Sequence, residues 1–168
     1  HLNKTKIISK KYYSLTDHVN EQEFNRLDSL GWSGVTDELD ELLDKSVQSM
    51  LVSDASMGTY VSGGLDSSLI TSYACQYRKC KLFTANILGE ITEFPYAKKL
   101  AKVVNQPIED YPFSKEMALR DWAKVTWHYE SPIVVHFNAI PFSNVSGLAR
   151  TSGVKAVLTG EGADELFL

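Results

Sequence analysis

Cysteine is scarce in this chain, present only at Cys75 and Cys80, and the scarcity excludes a good deal. Two cysteines with no Cys or His partners at zinc-like spacing make no structural zinc site. They provide no disulfide framework either, so a reducing, cytoplasmic setting is expected. Positive charge is not in excess: 17 Lys and Arg against 21 Asp and Glu leave a net charge of −4. That balance argues against broad nucleic-acid binding, which needs a basic surface. Lys4, Lys6, Lys10 and Lys11 form a small basic patch, read here as a solvated N-terminal strand. Long apolar runs are missing, so no membrane span is expected, and the start "HLNKTKIISKKYY" does not read as a signal peptide. Two phosphate-binding signatures are absent as well. There is no Gly-Lys-Ser/Thr of the Walker type and no G-x-G-x-x-G dinucleotide fingerprint. Asn3 and Asn144 each open a glycosylation sequon, a pattern short enough to arise by chance.

What is present suits one α/β domain. The length is 168 residues, and 43% hydrophobic residues allow an ordinary core. Residues 1–34 lack strong periodicity; "KIISKKYYSL" reads as a strand or extended arm and "GWSG" as a turn. Residues 36–52 read as a helix with Thr36 as its N-cap and acidic residues in its first turn. Leu39, Leu42, Leu43, Val47, Met50 and Leu51 fall on one face of it. Strands are then expected at 57–61, 81–88, 107–111 and 155–160. Helices are expected in "SLITSYACQYRK", at 93–105 with Pro95 in the first turn, at 114–130, and around 142–152. Ala118, Trp122, Val125 and Tyr129 line one side of the third of these. Strands alternating with helices predict a doubly wound parallel sheet with helices on both faces. In such a sheet, ligands bind beyond the C-terminal strand ends where strand order reverses.

Two polar, Gly-rich loops follow strands. The first is "SGGLDSS", residues 62–68. Gly63 and Gly64 allow a sharp turn and close backbone approach, and the loop opens a helix whose free N–H groups favour an anion. Ser62, Ser67 and Ser68 add hydroxyls. Asp66 is out of place in a loop built only for phosphate. Beside a polyphosphate it calls for an intervening cation, and Mg²⁺ suits because it takes one or two carboxylates together with phosphate oxygens. The second loop, "GEGADE", supplies Glu161, Asp164 and Glu165. If the two strands are neighbours at the reversal point, the loops face each other across one crevice.

"SGGLDSS" resembles the pyrophosphate loop of the N-type ATP pyrophosphatases. With "LTGEGADELF" it resembles the synthetase domain of glutamine-dependent asparagine synthetases, as do "EFPYAKKLA" and "WHYESPI" in the same order. The resemblance runs from about residue 54 to the end. It implies an adenine nucleotide α-hydrolase-like fold and an adenylating ligase. In that family ATP activates the side-chain carboxylate of aspartate, pyrophosphate leaves, and ammonia from glutamine displaces AMP. It implies that Ser62, Gly63, Gly64, Asp66, Ser67 and Ser68 form the pyrophosphate loop. Val61, Ala85, Thr159 and Gly160 would contact the nucleotide, with threonine where the family usually has serine. Glu161 would serve adenylation and the ammonia step, and Asp66 and Asp164 would hold Mg²⁺. Glu130 stands where relatives commonly carry aspartate. His128 and Cys75 are read as packing residues, and His136 has no obvious partner. The resemblance further implies that residues 1–34 link to an absent glutaminase domain and that 35–168 is a synthetase domain truncated at its C-terminal end. The family's glutaminase cysteine and downstream lysine have no counterpart here, so the chain alone is expected to be inactive. A homodimer of the full-length protein stays open. Alternatives are a related ligase acting on another carboxylate, such as a β-lactam-forming synthetase or a sugar or antibiotic amidotransferase, a tRNA-thiolating pyrophosphatase, and an inactive nucleotide-binding module.

Overall fold

The computed structural model describes residues 9–89, 92–132 and 138–167. Part of the expected N-terminal arm, with Lys4, Lys6 and the Asn3 sequon, lies outside the described residues, as does His136. The chain divides into two compact units, His1–Leu42 and Leu43–Leu168.

A short 3₁₀ turn, Leu15–His18, precedes helix α1, Glu21–Met50, whose residues from 43 onward count with the second unit. Asn20 accepts a hydrogen bond from the Glu23 backbone N–H at 2.8 Å and so caps its start. The helix is broken at Gly31, where φ is 65° and ψ is 178°. Only glycine takes that conformation without strain. The chain folds back there, and the Arg26 guanidinium reaches both Glu23 at 2.7 Å and Glu38 at 2.6 Å. Thr36 is therefore not a helix start. It lies inside α1, and its hydroxyl donates to the Trp32 and Ser33 carbonyls instead. With the helix already running upstream, the N–H groups that a Thr36 cap would serve, those of Glu38 and Leu39, belong to the helix interior.

The second unit holds the rest: β1 (Met57–Tyr60), α2 (Leu65–Tyr77), β2 (Lys81–Ile87), α3 (Phe94–Val103), β3 (Ile108–Phe113), α4 (Lys115–Tyr129), α5 (Ala139–Thr151), β4 (Ala156–Leu158) and α6 (Ala163–Phe167). The four strands form one parallel sheet in the order β3-β2-β1-β4. Strand side chains alternate between the two faces. Leu82 packs with Tyr73, Ala74, Ala97 and Ala101 of α2 and α3, while its neighbour Phe83 packs with Val145 and Ala149 of α5. Both Leu82 and Phe83 are 0% exposed, so β2 is buried on both faces, as a doubly wound sheet requires. Strand β3 runs two residues further than expected, through Pro112. Its place at the sheet edge explains this, because a missing N–H there breaks no ladder.

Helix boundaries have local causes. Ser114 caps α4 by accepting from the Met117 N–H, and Glu130 closes the helix in the left-handed conformation. Pro95 sits in the first turn of α3. Helix α5 begins three residues earlier than expected, at Ala139, with Pro141 in its first turn. Val47 on α1 and Leu51 just after it are buried, but Leu42 and Met50 stay exposed, so only part of the expected apolar stripe is covered. His128 and Trp127 are exposed rather than packed; Trp127 is 77% accessible. Asn144 lies on α5 with its amide donating to the Ile140 carbonyl, an unsuitable place for a glycan. Cys75 packs against the core that buries Cys80. No helix among the described residues is long and apolar enough to cross a membrane.

Candidate nucleotide cleft

Strand order reverses between β1 and β4, so the segments leaving these two strands flank one crevice. Val61 extends the β1 ladder, donating to the Phe83 carbonyl at 2.9 Å. The chain then turns at Gly63, with φ 99°. A Cβ there would lie 2.6 Å from the Glu93 carbonyl oxygen, so glycine is required twice, for the conformation and for the space. Gly64 precedes α2 as its N-cap and offers no side-chain cap. The serines tie the turn together. Ser67 Oγ accepts from the Ser62 N–H at 3.1 Å and meets Ser62 Oγ at 2.9 Å. Ser62 Oγ accepts from the Gly64 N–H at 3.1 Å. Ser68 Oγ donates to the Gly64 carbonyl at 2.6 Å.

The loop after β4 closes on this turn. A Cβ at Gly160 would sit 2.6 Å from the Ser67 backbone nitrogen and 2.9 Å from the Asp66 carbonyl carbon. Backbone meets backbone here, with no room for a side chain. Thr159 Oγ1 accepts from the Glu161 N–H at 3.4 Å, and Gly162 turns with φ 94° into the short helix α6. Between the loops lies a cleft of about 540 Å³. Val61, Ser62, Asp66, Ser67 and Ala85 line it, and so do Thr159, Gly160, Glu161 and Asp164. Gly63, Gly64 and Ser68 do not; they shape the loop from behind.

The asparagine synthase family model matches residues 38–168. The chain belongs to the asparagine synthase family. A glutamine-hydrolysing asparagine synthetase of Bacillus subtilis is 32% identical over 132 residues, covering 77% of this chain and 21% of the relative. One from Zea mays is 28% identical, covering 77% and 24%. The chain thus spans about a quarter or less of the length of these relatives. Among solved structures, an NH₃-dependent NAD synthetase from Campylobacter jejuni is 14% identical with a TM-score of 0.46, covering 74% of this chain and 55% of that one. That likeness is too loose to add to what the sheet itself shows.

Beyond the family motifs, the cleft has a second wall. Phe83, Pro141, Phe142 and Val145 form an apolar side, where the Tyr60 and Phe142 rings lie 5.9 Å apart. Nothing in the sequence marked these residues, because apolar side chains on a strand or a helix look like core. Glu93 also lines the cleft, although it lies in the family-like stretch "EFPYAKKLA" and could have been noticed there. Glu130 does not line the cleft; it is exposed at the end of α4. Five carboxylates face the cleft, from Asp66, Glu93, Glu161, Asp164 and Glu165, and no Lys, Arg or His does so among the described residues. No group of three or more His, Cys, Asp or Glu among the described residues could hold a metal. Asp66 and Asp164 line the cleft from its two sides, one from each loop.

Proposed function

We propose that the cleft binds Mg-ATP in an asparagine synthetase and activates the side-chain carboxylate of aspartate. The observation that carries the reading is the backbone contact of Gly160 with Asp66 and Ser67, which holds two acidic loops against each other where strand order reverses. Two such loops repel a bare polyphosphate and suit one accompanied by a divalent cation. Bound Mg²⁺ would neutralise charge between the phosphates and the carboxylates of Asp66 and Asp164. The N–H groups opening α2, with Ser62 and Ser67, cradle the departing pyrophosphate. Gly63, Gly64 and Ser68 keep that cradle in shape. Val61, Ala85, Thr159 and Gly160 flank the nucleoside, and the apolar wall at Phe142 excludes water beside it. The aspartate carboxylate oxygen attacks the α-phosphorus of ATP, pyrophosphate leaves, and a mixed anhydride remains. Ammonia then attacks the carbonyl carbon, AMP leaves with the C–O electron pair, and asparagine and a proton are released. Glu161, which lines the cleft, would assist both steps. Ammonia would come from glutamine through a separate domain. The free thiols at Cys75 and Cys80 suit a cytoplasmic setting.

The test is ATP–pyrophosphate exchange by the full-length protein with a panel of carboxylic acids. Exchange that depends on aspartate supports the proposal. Exchange driven by a different acid points instead to a related ligase, and its absence with every acid refutes adenylation. The chain of 168 residues alone is proposed to be inactive, so asparagine formed from it with ammonia would contradict that part.

A further inference from the structure

Four buried hydroxyls among the described residues have no hydrogen-bond partner: those of Thr59, Thr71, Thr84 and Thr126. A buried, unpaired hydroxyl costs stability and calls for an explanation. Of the four, Thr84 alone lines the cleft. It is 2% exposed and sits in β2 between Phe83 and Ala85. Its place relative to the loop follows from the sheet register. Tyr60 pairs with Phe83, and the Val61 N–H bonds the Phe83 carbonyl, so Thr84 stands beside Val61 at the foot of the "SGGLDSS" turn. Alternation along β2 turns it to the face of Leu82, towards α2, and away from the face of Phe83 and Ala85. Thr84 thus sits under the phosphate side of the cleft, not the apolar wall.

We infer that Thr84 is a further ligand-binding residue, whose hydroxyl donates to a phosphate oxygen of the bound nucleotide or of pyrophosphate. The inference rests on the proposed Mg-ATP reading of the cleft. In the free chain the hydroxyl is sealed from solvent, and its one side-chain torsion offers it other staggered positions when a ligand is bound. The other three unpaired hydroxyls have no ligand to gain and serve as internal controls.

The experiment is equilibrium binding of Mg-ATP, Mg-pyrophosphate and adenosine to the full-length protein, with thermal unfolding measured alongside. Thr84→Val keeps the shape and removes the hydroxyl. It should weaken Mg-ATP and Mg-pyrophosphate about tenfold, the loss of one hydrogen bond to a charged group, and leave adenosine unchanged. Its melting temperature should not fall, since the lost hydroxyl had no partner. Thr84→Ser should restore binding. Thr59→Val and Thr71→Val should leave all three affinities at the wild-type level. Wild-type affinity in Thr84→Val, an equal loss for adenosine, or the same loss in Thr59→Val overturns the inference and leaves the Mg-ATP reading standing. Failure of the wild-type protein to bind Mg-ATP or Mg-pyrophosphate overturns both.

Discussion

Replacing Gly160 with alanine tests whether the two loops touch as closely as their backbones indicate. The added Cβ would lie 2.6 Å from the Ser67 nitrogen and 3.0 Å from the Asp66 Cβ. Unstrained contacts between heavy atoms stand at about 3.5 Å, so the loops must part by roughly 0.9 Å. Neither partner is a flexible side-chain tip; both belong to the first turn of α2 and can move only with it. Overpacking of this kind costs about 2 kcal/mol. Parting the loops also misplaces the N–H groups that open α2. Loss of one charge-assisted hydrogen bond, roughly 1.5–3 kcal/mol, lowers affinity for Mg-ATP about ten- to a hundredfold. Gly153→Ala is the matched control. Its φ of 79° makes the alanine strained, but nothing lies within 4 Å and the residue is not in the cleft. It should lose about 1 kcal/mol of stability with no change in nucleotide affinity. Thermal unfolding and calorimetric titration of Mg-ATP on both variants provide the comparison. A Gly160→Ala protein with wild-type melting and wild-type affinity would refute the contact.

Two other outcomes follow from the structure. Gly147 lies inside α5 with a helical backbone and open space where a Cβ would stand, so Gly147→Ala should stabilise by about 0.5–1 kcal/mol and raise the melting temperature by roughly 3 °C. The hydrogen bond from Cys75 pushes Cys80 down to about 7, against burial, while the same bond pushes Cys75 up from its ordinary value of 9.0. An acid with a lowered folded value adds stability as pH rises from that value towards the unfolded one; an acid with a raised value loses stability above the unfolded one. Melting temperature should therefore climb between pH 7 and pH 9 and decline above pH 9, and Cys75→Ala should flatten the rise.

The sheet and its helices were legible because apolar runs punctuated by Gly, Pro and Ser give parallel strands and their crossovers away. The motif loops were legible because glycine and carboxylate have few reasons to recur at strand ends. The turn read at "GWSG" stands where Gly31 breaks α1, although the helix on its upstream side was not expected. Two features were hidden for physical reasons. The extension of β3 through Pro112 depends on that strand being at the edge, a fact of sheet order rather than local preference. The wall at Tyr60 and Phe142, and the unpaired Thr84, carry no pattern at all. Their roles come from what the tertiary fold places beside them.

The central claim is that a cleft lined by carboxylates and lacking cationic side chains among the described residues takes ATP only with a divalent ion. The most direct measurement is ATP affinity of the full-length protein in Mg²⁺ and in chelator, for wild type and for Asp66→Asn. The prediction is binding in Mg²⁺ that weakens at least tenfold in chelator, and a similar loss in Asp66→Asn with the fold intact. ATP bound equally well without the ion, or by Asp66→Asn as by wild type, would contradict the account.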